Sequence, residues 1–66
     1  MSIFVNSKEQ TVPDACSVQA LLEINGLTEK RVAVEVNQDL VMREQWRSFK
    51  LKEGDRVEIV SFVGGG

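Results

Sequence analysis

Histidine is absent from this 66-residue sequence, and cysteine occurs once, as Cys16. The missing histidine removes the Ser-His and Cys-His pairs by which side-chain nucleophiles are activated. With only one cysteine, it also leaves no cluster of soft ligands, so no metal site is expected. These gaps argue against an enzyme that acts by itself. One cysteine cannot form an internal disulfide, which suits a reducing compartment. Basic residues are outnumbered, eight Lys and Arg against ten Asp and Glu, for a net charge of −2. Nucleic-acid binding rests on clustered Lys and Arg meeting phosphate, so no nucleic-acid partner is expected. Apolar runs are short, and none approaches the ~20 residues that cross a bilayer. The opening MSIFVNSKEQ lacks the basic-then-apolar order of a secretory signal. Neither a membrane nor export is indicated, and a cytoplasmic location is expected.

The remaining composition is that of an ordinary globular chain, 42% hydrophobic and 27% charged. A chain of this size buries only about 60% of its unfolded surface, enough for one thin layer against another and too little for a deep cavity. Ile3 to Asn6 begins an extended run, Asn6 to Glu9 is a polar turn, and Gln10 to Val12 is a second short strand that Pro13 ends. Ser17 is a good N-cap for a helix carrying Val18, Leu21 and Leu22 on one face. Gly26 is the stop signal, with Leu27 able to fold back on Leu22. Val32, Val34 and Val36 alternate as in a half-buried strand, Asn37 to Asp39 turns the chain, and Leu40-Val41 pairs briefly. Met42 to Trp46 is a helical turn anchored by Trp46. Phe49 and Leu51 form a short extended piece, Glu53-Gly54-Asp55 turns, and Arg56 to Val63 is the last strand.

Strands with one helix across a face make an α+β domain. The expected fold has a mixed sheet of four to five strands, one main helix and a short helical turn. An N-terminal hairpin, a single crossover and a long final strand suggest a β-grasp arrangement over residues 1–62, with first and last strands adjacent in the middle. Residues 63–66 are expected to form a flexible glycine tail.

That tail carries the chemistry. Val63 to Gly66 is four residues, reaching at most about 13–14 Å when extended. Gly64, Gly65 and Gly66 have no side chains, so the segment suits a slot that rejects bulkier peptides. A terminal Gly66 carboxylate is a poor electrophile and would need conversion by another enzyme, for instance to an acyl adenylate with ATP. On the last strand, Val57, Ile59 and Ser61 alternate with Glu58, Val60 and Phe62, so both faces carry apolar residues. One set belongs to the core; Val60, Phe62 and Val63 are candidates for contact with an activating enzyme. The acids Glu53, Asp55 and Glu58 read as exposed charge that could meet a basic partner. Arg43 and Glu44 read as solvated. Cys16 lies just before the helix, where a thiolate would be favoured, although a lone cysteine is more often a small buried hydrophobe.

The whole sequence resembles the sulfur-carrier proteins of thiamin (thiazole) biosynthesis, members of the ubiquitin-like β-grasp family. The resemblance rests on Ile3-x-Val5-Asn6, Leu21-Leu22, the stretch Val36 to Trp46, Gly54-Asp55-x-Val57-Glu58-Ile59 and the Gly65-Gly66 end. Met42 stands where that family usually has proline, and Ser7 where glycine is common. The resemblance implies a carrier with no bound cofactor. An adenylating enzyme of the ubiquitin-activating kind would use ATP and Mg²⁺ to join AMP to Gly66. A cysteine desulfurase or another sulfur donor would then leave a thiocarboxylate, and thiazole synthase would take the sulfur. The free carrier is expected to be a monomer. A carrier for molybdopterin or tRNA thiolation, a ubiquitin-like protein modifier and an inert interaction module stand as alternatives.

Overall fold

The computed structural model describes residues 1–28 and 31–62. Its first two strands, β1 (Ser2–Val5) and β2 (Lys8–Thr11), pair antiparallel, with Ser2 opposite Thr11 and Val5 opposite Lys8. The turn is tighter than the four residues expected. Asn6 and Ser7 alone make it, both at positive φ (49° and 72°), the pattern of hairpin turns whose twist matches that of the strands. Strand β2 therefore begins at Lys8 rather than Gln10. Serine is a weak signal for a left-handed conformation, so the turn was expected here but not its two-residue length. Val12 lies past the strand but is buried, and its N–H bonds the Met1 carbonyl (2.9 Å).

Helix α1 (Val18–Ile24) starts where expected, with Ser17 Oγ accepting from the Ala20 N–H at 3.0 Å. Its end is a Schellman motif. Gly26 sits at φ +70°, its N–H bonds the Glu23 carbonyl (3.1 Å), and the Leu27 N–H bonds that of Leu22 (2.8 Å). A seven-residue helix would not persist alone in water. Val18, Leu21 and Leu22 are fully buried against the sheet, and each contributes about 1.5–3 kcal/mol of transfer free energy.

Strands β3 (Val32–Val36) and β4 (Asp39–Val41) pair antiparallel around Asn37-Gln38, a second two-residue turn with both φ positive. A single 3₁₀ turn, Arg43–Gln45, then delivers Trp46 into the core, where its Nε1–H donates to the Val41 carbonyl at 3.0 Å. Met42 holds φ −71°, the value a proline would impose, so its side chain leaves the turn's shape unaltered. Its N–H donates to Gln45 Oε1 (3.0 Å), a bond proline could not make. The Phe49–Leu51 piece pairs with the lead-in to the helix rather than with the sheet: Val18 N–H bonds the Phe49 carbonyl and Leu51 N–H that of Cys16.

The last strand, β5 (Arg56–Ser61), lies in the middle of a five-stranded sheet ordered β2-β1-β5-β3-β4. It runs parallel to β1 and antiparallel to β3. First and last strands are thus neighbours, as the β-grasp order requires. Val32, Val34, Val36, Val57 and Ile59 point with Ile3 to the helix side, where one core forms.

Two asparagines fasten β5, one from each flank. Asn6, at the end of β1, donates its Nδ2 to the Ile59 carbonyl (3.1 Å) and accepts the Ile59 N–H on Oδ1 (2.8 Å). Asn37, at the end of β3, accepts the Arg56 N–H (3.0 Å) and donates to Asp55 Oδ1 (3.0 Å). Both occupy positive φ, which asparagine tolerates better than most residues. Asp55 is consequently buried, with Oδ2 accepting from the Lys52 N–H at 2.8 Å. This corrects its reading as exposed charge: the carboxylate is a turn brace, while Glu53 and Glu58 stay exposed. Replacing Asn37 tests the brace. Asn37→Ala loses two hydrogen bonds at about 1 kcal/mol each and strains a left-handed backbone, for about 2–4 kcal/mol in urea denaturation. Asn37→Gly is expected to cost about 1 kcal/mol less, because glycine removes the strain alone.

Candidate functional site

The helix covers one side of the sheet and leaves the other open. On β5 the inward side chains are Val57 and Ile59 and the outward ones Arg56, Glu58 and Val60, with exposed Phe62 just past the strand. Val60 is 55% and Phe62 57% exposed, so the fold itself does not cover them. Register brings more apolar surface alongside. Ala33 lies opposite Val60, Leu40 lies opposite Glu35 and is 59% exposed, and the half-buried Phe4 lies beside Arg56. The Arg56 guanidinium stacks on the Phe4 ring, 5.0 Å from its centroid.

The ladder carries β5 to the edge of the described chain, where the Phe62 N–H bonds the Arg31 carbonyl at 2.9 Å. Val63, Gly64, Gly65 and Gly66 lie outside the described residues, as do the expected tail and the end of the expected strand at Val63. What is described is the platform before them: a central strand, hydrogen-bonded on both sides, whose last residues carry exposed apolar side chains. Phe4, Ala33, Glu35 and Leu40 were not singled out in the sequence. Alternation within β3 could have marked Ala33 and Glu35 as outward, but only the strand order puts them beside Val60 and Glu58.

Cys16 is not an activated thiol. It is buried, and burial pushes its pKa above the ordinary thiol value, with nearby Lys50 opposing the shift. Of the two readings of Cys16, the small buried hydrophobe holds: a buried sulfur beside core side chains is held neutral. Arg43 is exposed and stacks on Trp46, 4.8 Å from the ring centroid. Among the described residues no group of three or more His, Cys, Asp or Glu could hold a metal ion, and no helix is long and apolar enough to cross a membrane.

The Cys16 environment sets a measurable expectation. In the native protein near pH 8 the thiol should react with iodoacetamide far more slowly than in urea, read by mass spectrometry. Its raised folded pKa has a definite sign. The stability it permits is fully present below the unfolded thiol value of about 8.5, and is lost as pH rises from there through the folded value.

Comparison with known proteins fits this geometry. The sequence model of the ThiS family matches residues 1–66. The chain is 40% identical over 53 residues to the sulfur carrier protein ThiS of Bacillus subtilis, covering 80% of each. It is similar over its full length to the crystal structure of a thiamine biosynthesis protein (ThiS) from Geobacter metallireducens, with 36% identity, full coverage of both chains and a TM-score of 0.81. It is also 35% identical to part of a thiazole synthase from Paramagnetospirillum magneticum, where all of this chain spans only 20% of that protein's length.

Proposed function

This chain belongs to the ThiS family, and on that premise we propose that it is a sulfur carrier for thiazole formation in thiamin biosynthesis, with Gly66 as the carrying residue. The observation that carries this reading is the family match, which runs through residue 66 and takes in the glycine end. The chain does no catalysis. A partner adenylating enzyme binds ATP and Mg²⁺, and a Gly66 carboxylate oxygen attacks the α-phosphate as pyrophosphate leaves. The acyl carbon is now electrophilic. The terminal sulfur of a persulfide, supplied through a cysteine desulfurase, attacks it, and AMP departs with the electron pair. A thiol then reduces the resulting acyl disulfide to the thiocarboxylate.

Thiazole synthase is the acceptor in this reading, and the likeness to part of a thiazole synthase chain supports it. The cytoplasm, where thiols stay reduced, is where such a carrier and its partners would meet. The described fold suits the task. A strand fastened from both flanks fixes where the tail starts, and the absence of side chains on Gly64 to Gly66 lets it enter a narrow slot. Exposed Val60 and Phe62, with Val63 beyond them, give the adenylating enzyme something apolar to grip near the entry point.

Intact mass spectrometry of the protein from growing cells tests the reading. The expected result is a species ending at Gly66 whose mass shows one oxygen replaced by sulfur. Conjugates to other proteins, or an unchanged carboxylate while thiamin is being made, would contradict it. Deleting Gly66 should abolish sulfur loading and thiamin-independent growth. Its melting temperature should hold, because the core is built from residues 3 to 59. Phe62→Ala should weaken binding to the adenylating enzyme by about tenfold, with little change in stability.

A further inference from the structure

The chain has three asparagines, and the residue that follows each sets its chemistry. Asn6 precedes Ser7 and Asn37 precedes Gln38, and both side-chain amides are held at nitrogen and oxygen alike. Asn25 precedes Gly26 and lies exposed at the end of α1. In an Asn-Gly pair the backbone nitrogen of the glycine can attack the asparagine Cγ, because glycine has no side chain to obstruct the approach. The fold opposes that attack at three points. The Gly26 N–H is bound to the Glu23 carbonyl at 3.1 Å, so the nitrogen keeps its proton. Asn25 Nδ2 donates to the Leu21 carbonyl at 3.0 Å, tying the side-chain amide to the preceding turn. Asn25 holds φ −92° and ψ 5°. A five-membered ring needs the Gly26 nitrogen swung round to the Cβ side, a backbone setting outside the ordinary α and β regions. All three restraints belong to the closed end of α1, so they are lost together when its last turn opens.

We infer that Asn25-Gly26 is a modification site kept dormant by the helix cap, and that opening of the last turn of α1 releases conversion of Asn25 to aspartate and isoaspartate. The Gly26 nitrogen bonds Asn25 Cγ and the Cγ–Nδ2 bond breaks. The amide leaves as ammonia, carrying the proton that the Gly26 nitrogen gave up. Water then opens the succinimide ring at either carbonyl, and neither an oxidant nor a second enzyme is needed. One opening leaves aspartate; the other leaves isoaspartate, with an extra methylene in the backbone. Both products place a carboxylate at the C-terminus of a helix, where the dipole disfavours negative charge. Nor can an ionised carboxylate donate to the Leu21 carbonyl as the amide does. The conversion thus weakens the stop of the helix that buries Val18, Leu21 and Leu22.

Peptide mass mapping of the full chain, incubated at mildly alkaline pH in buffer and in unfolding guanidinium chloride, tests the inference. In the denaturant, Asn25 is expected to take the mass of an aspartate well before Asn6 or Asn37 does. In buffer its conversion should be about tenfold slower or more, because it waits on local opening. Ser17→Ala removes the N-cap bond to Ala20, so it should speed conversion in buffer and leave the rate in denaturant unchanged. Asn25→Asp, which mimics one product, should melt a few degrees below the wild type. Asn25 reacting no faster than Asn6 or Asn37 in denaturant would overturn the site. Equal rates in buffer and denaturant would overturn its protection by the cap, and an unchanged rate in Ser17→Ala would overturn helix opening as the release. A melting temperature unaltered by Asn25→Asp would overturn the cost assigned to the product. Each of these contrary results leaves the carrier reading intact.

Discussion

The position of β5 is the constraint on which the rest depends. Among the described residues it is the last strand in sequence and the middle strand in space, so the sheet cannot close until Arg56–Ser61 are in place. Backbone ladders to β1 and β3 hold it, but the parallel pairing with β1 is brief, from Phe4 and Val5 to Arg56 and Val57. Asn6 extends that hold past the end of β1 by presenting a side-chain amide to Ile59 as another strand would present its backbone. Asn37 does the equivalent at the other flank, through Arg56 and Asp55. Three side-chain hydrogen bonds thus reach β5 itself, and a fourth braces Asp55 just before it.

This arrangement divides the sheet's work between its two sides. The helix side is a continuous apolar layer, with Leu21, Leu22 and Val34 fully buried, and Trp46 closing one end. It provides stability, as a domain this small needs every buried side chain. The open side carries exposed Val60 and Phe62, which add little to stability, and the opposed Glu35 and Glu58, whose like charges work against the pairing. Because β5 belongs to both sides, exposed Val60 is carried on the same strand as buried Val57 and Ile59.

Much of this could be read from the residues, for local reasons. The Val32-Val34-Val36 alternation, the Ser17 cap, the Gly26 stop and the Trp46 anchor are encoded within a few positions and appear as expected. What escaped the sequence depends on partners far along the chain. Asn6 is a turn residue until Ile59, fifty-three positions away, gives its amide two backbone groups to bind. Asp55 is an exposed acid until Asn37 covers it. Glu35 is an ordinary outward residue until register sets it against Glu58. The hairpin turn was misjudged for a local reason instead, because Ser7 takes a conformation for which serine is a weak signal.

Native-state amide hydrogen exchange, followed residue by residue, addresses the central claim most directly. If the asparagines fasten β5, the Ile59 and Arg56 amides exchange only as slowly as global unfolding allows, and Asn6→Ala speeds Ile59 while leaving core amides of α1 protected. Ile59 exchanging in the wild type as fast as an exposed loop amide would contradict the account, since the strand would then be loose at the residue Asn6 binds.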